Sequence, residues 1–156
     1  MKKYEIIEKE IFSLLTSKQI GEISDSAIIK DFETDQIIYE RKEVAKNLFI
    51  LLEGEVSLRV PGRDDTNIES LSLEIENIKQ HGALFGSNLL FDVKRYVTRA
   101  RVIKPSKVMI LDAEKFLEII RKNRSEFIVM SYLAKVYFHR YINAMKEFEE
   151  CVQQNK

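Results

Sequence analysis

The stretch GALFGSNLLFDVKRYVTRARV, residues 82–102, places two glycines ahead of a short apolar segment and then a strand carrying arginines. Gly86 has no Cβ, so backbone there can approach a ligand closely. The amides opening a short helix at Ser87–Phe91 would point at an anion, with the helix dipole assisting. In the following strand, side chains alternate between faces. Thr98, Ala100 and Val102 are therefore expected inward, and Arg95, Arg99 and Arg101 outward. A slip of one residue would exchange the two sets. The stretch has the frame of a phosphate cradle, and its charged groups are the open question.

Working outward, the upstream chain reads as short strands. AIIKDF, QIIY, LFILL and EVSLRV lie between residues 27 and 60 and are rich in β-branched and apolar residues. Pro61-Gly62 and the polar residues 63–67 mark a loop tip. Residues 68–78 alternate, with Leu71, Leu73 and Ile75 on one face and Ser72, Glu74 and Glu76 on the other. Downstream, residues 95–104 and KVMIL (107–111) add two strands. Roughly eight short strands with regular turns predict a sandwich or barrel. Helices flank them. Tyr4–Leu15 carries an apolar stripe, and Thr16 and Ser17 can cap KQIGEI. Asp112 can cap AEKFLEIIRK, and Ser125 can cap a last helix running to about residue 150.

The bulk composition sets limits. At 156 residues the chain fits one domain. Cys151 is the only cysteine, so no internal disulfide forms and a reduced setting is expected. The N-terminus turns acidic before any apolar run, unlike a secretory signal. No apolar run approaches the ~20 residues of a membrane span. The expectation is a soluble cytoplasmic protein with no membrane partner. Net charge is zero but uneven, at −7 over residues 1–93 and +7 over residues 94–124. The basic segment either attracts an anion or forms solvated faces that offset the acidic half.

Four segments carry a resemblance. They are Ile11–Leu15 with SKQIGEI; Leu48–Val56 (LFILLEGEV); Phe85-Gly86 with the Ala100–Val102 strand; and Val108–Asp112 with Phe116 and Leu117. In this order they resemble the cyclic-nucleotide-binding domain family, the sensor module of catabolite-activator-type regulators and cAMP-dependent kinase regulatory subunits. The resemblance implies a mainly β fold with flanking helices, namely a β jelly roll (double-stranded β-helix) with short N-terminal helices and a long C-terminal helix. It implies one domain over 1–156, with the roll at about 24–111 and the helical part at about 112–150. The candidate ligand pocket is Phe85, Gly86, Ser87, Asn88, Thr98, Arg99 and Ala100. Ser87 stands where the family has an acidic residue that grips the ribose, and Thr98 where it has the phosphate-binding arginine. A lost charged hydrogen bond is worth roughly 1.5–3 kcal/mol. The leading expectation is therefore a non-catalytic sensor that does not hold cAMP or cGMP in the usual way. One alternative is true cyclic-nucleotide binding through backbone amides and Arg99. Another is a ligand-free dimeric scaffold with an unidentified protein partner. Asp35 and Lys42 occupy places where the family usually has glycine, so both need unusual backbone angles or reshaped loops.

In the last helix, Phe127, Met130, Ala134, Tyr137, Tyr141, Ala144, Phe148 and Cys151 recur at spacings of three and four. Such a seam calls for a partner helix. A second set, Val129, Leu133, Val136, Ile142 and Met145, widens the apolar face. The expectation is a homodimer through this helix, the competing reading being that both sets pack on the roll. No recognition helix follows Lys156, so direct nucleic-acid binding is not expected. The two histidines, His81 and His139, cannot form a metal cluster, and no nucleophile or Walker motif is present. Neither a catalytic residue, a metal nor a cofactor is assigned, beyond a cyclic nucleotide or other small anionic ligand.

Overall fold

In the computed structural model, which describes residues 11–62, 72–122 and 124–155, the runs on either side of Gly54 belong to one strand. The strands among the described residues are β1 (Ile28–Phe32), β2 (Ile37–Tyr39), β3 (Asn47–Val60), β4 (Leu73–Ile78), β5 (Leu84–Phe85) and β6 (Arg99–Asp112). The seven strand segments named from the sequence become five, because LFILL and EVSLRV fuse, as do the segments on either side of Pro105, and β5 adds a sixth strand not expected there. Gly54 makes this possible. Its φ is 103°, and a Cβ there would collide with Ser106 Oγ and lie 2.5 Å from the Pro105 carbonyl. Register shifts between Leu51 and Val56 let β3 bend without leaving the ladder to β6.

All pairings are antiparallel. The sheet follows the order β1-β6-β3-β4, with β2 also on β6 and β5 also on β3. Its end strands, β1 and β4, do not pair among the described residues. The closed jelly roll expected from the sequence is therefore not formed by the hydrogen bonding. The result is a mixed α/β domain with an open, bent central sheet.

Alternation along β3 divides the interior. Leu48 and Ile50 face the helices and pack with Leu111, Phe116, Ile119, Ile120, Val129 and Leu133. Phe49 and Leu51 face the other way, toward Tyr39, Phe85, Tyr96, Ala100 and Val102. Helix α1 (Ser17–Ser26) starts on a capping box in which Gln19 N donates to Thr16 Oγ1 at 3.2 Å and Thr16 N donates to Gln19 Oε1 at 2.8 Å. Helix α2 (Ala113–Lys122) is capped as expected, with Lys115 N donating to Asp112 Oδ1 at 2.8 Å. Helix α3 (Glu126–Gln154) is not capped by the Ser125 side chain. That hydroxyl instead accepts from Gln19 Nε2 at 2.9 Å, fastening the root of α3 to α1.

Ile11–Leu14 forms a 3-10 turn. The stripe expected at residues 4–10 and the loop tip and alternation expected at 63–71 lie outside the described residues. Among the described residues no helix is long and apolar enough to cross a membrane.

Candidate functional site

Four turns bring the backbone into the left-handed region around the cradle. Gly86 has φ 70°, and a Cβ there would sit 2.8 Å from Phe49 Cδ2 and 3.1 Å from Tyr39 Cε1. Asp35 (φ 73°) and Lys42 (φ 75°) adopt the angles their glycine-like positions require. Backbone bonds hold them, with Asp35 N donating to Val102 O and Lys42 N donating to Tyr96 O, each at 2.9 Å. Asp92 (φ 58°) ends the short helix expected at Ser87–Phe91, which is a 3-10 turn over Asn88–Phe91.

Behind Gly86 lies an aromatic stack. The Tyr39 and Tyr96 ring centroids are 4.0 Å apart, Tyr39 and Phe49 5.3 Å, and Phe49 and Phe85 5.4 Å. Their hydroxyls are bonded, as buried phenols require. Tyr96 donates to Asn47 O at 2.7 Å, and the Tyr39 hydroxyl is hydrogen-bonded to Thr98 Oγ1 at 3.3 Å. Burial pushes the Tyr96 phenol up to about 12 and raises that of Tyr39 further still, so both stay neutral at ordinary pH.

In front of Gly86 a cavity of about 290 Å³ opens between the sheet and α3. Gly86, Asn88 and Thr98 line it from the predicted pocket, and Tyr137, Tyr141 and Ala144 from the predicted helix seam. Leu58, Val60, Ile75 and Val97 supply apolar walls. Phe85 and Ala100 are fully buried beneath it. Ser87 is also buried, its hydroxyl 2.8 Å from that of Tyr137. Arg99 lies one residue along from the lining Thr98 and outside the cavity wall.

The sequence reading missed Arg140. It lines the cavity while 6% exposed, and donates to Glu76 Oε2 and, at 2.6 Å, to Leu84 O. Its guanidinium also lies 5.7 Å from the Tyr137 ring centroid. A signal for it existed, since Arg140 continues the 129, 133, 136 register whose other members are buried apolar residues. Glu76, expected on a solvent face, reaches Arg140 because the pairing of β3 with β4 shifts between Leu58 and Arg59. The shift resets the alternation at Ile75.

The expectation that Ser87 and Thr98 leave the site without its charged groups is overturned. Arg99 Nε donates to Glu40 Oε1 at 2.6 Å, and Arg101 donates to Asp35 Oδ1 at 2.6 Å. Arginine and acidic side chains are thus retained along the strand of the cassette, as oriented, charge-assisted pairs. The outward placement of Arg99 and Arg101 leaves them partly covered, at 26% side-chain exposure each.

A family model for the cyclic nucleotide-binding domain matches residues 29–123. The chain belongs to this family. Among solved structures, a candidate cyclic nucleotide-binding protein from Geobacter metallireducens GS-15 is 24% identical, with a TM-score of 0.69 over 90% of this chain and 98% of that one. The sensor domain of the transcriptional regulator DNR from Pseudomonas aeruginosa is 18% identical, with a TM-score of 0.67 over 86% and 91%. The regulatory domain of Toxoplasma gondii PKA, solved with cAMP, is 14% identical, with a TM-score of 0.67 over 85% of this chain and 48% of that one. At these identities the likeness is one of fold. The cyclic nucleotide-binding domain match contains the whole cassette and ends before α3, the helix that brings Tyr137 and Arg140 to the cavity.

Proposed function

We propose that the protein is a non-catalytic regulatory module that binds a cyclic nucleotide, cAMP or cGMP, through the amides around Asn88 and through Arg99. The observation that carries this reading is the cavity on Gly86, Asn88 and Thr98, with the Arg99–Glu40 ion pair beside it. Family membership and the cAMP complex of the Toxoplasma regulatory domain support the choice of ligand. Arg99 lies outside the cavity wall, so in this scheme it leaves Glu40 to meet one exocyclic oxygen of a phosphate at the cavity mouth. Helix α3 lines the same cavity, so a ligand there favours one position of that helix, which is a shift between pre-existing states. In this scheme residues 24–111 receive the ligand and residues 112–150 report it.

Titration calorimetry with cAMP and cGMP tests the proposal. Binding of either is expected, weakened about tenfold to a hundredfold by Arg99→Ala, the effect of one lost charged hydrogen bond. No heat from either nucleotide, with folded protein confirmed by circular dichroism, would refute it.

A second part of the reading concerns assembly. Phe127, Phe138, Tyr141 and Phe148 are 57–80% exposed on α3, while Val129, Leu133 and Val136 on its other side are buried. The exposed set, with Ala134, Met145 and Val152, follows alternating steps of three and four from residue 134 onward. This is the spacing of a coiled-coil seam. It uses Phe138, Met145 and Val152 in place of Tyr137, Ala144 and Cys151 from the sequence reading. Two copies of the chain pair along this seam in the proposed state. Light scattering is expected to give twice the chain mass, and a monomeric mass at high concentration would exclude the dimer.

A further inference from the structure

Resting on the reading that the cavity takes a cyclic nucleotide, we propose that Arg140 meets the ligand's negative charge, and that Glu76 is an internal competitor which the ligand must displace. Arg140 is the only guanidinium among the described residues that line the cavity. Its neighbours there are largely apolar, a setting in which a charge interacts more strongly than it does in water. A permanently charged guanidinium suits the second exocyclic oxygen of the cyclic phosphate, the first being met by Arg99. The family match ends before Arg140, so this cation comes from the part of the chain that the match does not cover.

The geometry also shows what holds Arg140 meanwhile. One bond goes to Glu76 on β4 and another to the carbonyl of Leu84, two residues before Gly86. A buried cation needs such partners. The Arg140 side chain is 7% exposed and that of Glu76 19%, so Glu76 is the member with a route to solvent. An incoming anion is attracted by Arg140 and repelled by Glu76. Its arrival therefore exchanges one carboxylate for one phosphate on the same guanidinium. That exchange breaks the Arg140 link between α3 and β4, while the link to Leu84 O can persist.

The test is calorimetry with cAMP and cGMP on wild type, Arg99→Ala, Arg140→Gln, Arg140→Lys and Glu76→Gln, each checked for folding by circular dichroism and thermal melting. Arg140→Gln is expected to weaken binding at least tenfold, and Arg140→Lys to recover part of it. Glu76→Gln keeps the shape and an acceptor but removes the competing charge, so binding tightens about three- to tenfold. A purely structural ion pair predicts the opposite sign at Glu76, since its loss would only loosen the wall. Unchanged or weaker binding by Glu76→Gln would overturn the proposal, even if Arg140→Gln unfolds. Should wild type bind and Arg99→Ala fail while Glu76→Gln matches wild type, the inference falls and the cyclic-nucleotide reading stands. Should wild type bind neither nucleotide, both fall.

Discussion

The two faces of β3 are one residue apart in sequence and do different work. Leu48 and Ile50 enter an interior that is mostly aliphatic, with Phe116 and Tyr132, and is shared with the helices. Phe49 and Leu51 enter one built on stacked rings whose phenol hydroxyls are tied to Thr98 and to the backbone at Asn47. The first interior is dominated by non-directional packing, so what perturbs it is chiefly a loss or gain of packed volume. The second is directional, because ring stacking and hydroxyl bonds fix orientation as well as volume. Its outer edge at Gly86 is the floor of the cavity. Fold stability and site geometry are thus carried on opposite sides of the same strand.

That contrast can be broken by substitution. The largest loss of stability is expected on the aliphatic side. Leu111→Ala removes a side chain that is 1% exposed and should cost about 2–5 kcal/mol in chemical denaturation, with nucleotide affinity of the remaining folded protein little changed. A smaller loss, about 1–3 kcal/mol, is expected for Gly86→Ala, which forces a Cβ into the left-handed region and against Phe49 and Tyr39. Calorimetry should nonetheless show nucleotide binding abolished, because the floor of the cavity moves. Equal affinity in Gly86→Ala and wild type would dissolve the division between the two sides. The smallest effect belongs to neither interior. Phe138→Ser, on a residue 60% exposed, should change the folding free energy of dilute protein by no more than about 0.5 kcal/mol while halving the mass seen by light scattering.

Much of the fold was legible because it rests on local rules. Thr16 with Gln19 three places on is a capping signature, and it caps. Asp35 and Lys42, at glycine-like positions, left either unusual backbone angles or reshaped loops open, and both residues have positive φ. Strand length was less legible. Gly54 looks like a break between strands, yet its backbone lies close against Pro105 and Ser106, about fifty residues away. The Ser125 hydroxyl was read as a cap because only its neighbours in sequence were visible, and its partner is Gln19. The site divides in the same way. Gly86, Asn88 and Thr98 came from a local motif and do line one cavity. Arg140 and Glu76 meet across 64 positions, and an arginine in an amphipathic helix ordinarily reads as a solvated side chain. The charge balance of the site was misjudged for this reason, since its carriers come from Arg99, Glu40, Arg140 and Glu76 on four separate segments.

The bond between Gln19 and Ser125 fixes one end of α3 near the start of the chain's described fold. The buried contacts of α3 stop at Arg140, and beyond it every side chain is exposed or only partly covered. At 1.5 Å per residue the helix from Arg140 to Gln154 is an arm of about 21 Å, held at its base by those buried contacts. A tilt of about 5° at Arg140 would displace the far end by about 2 Å. A rearrangement too small to disturb the sheet would thus arrive at the tip as a movement large enough for another molecule to read.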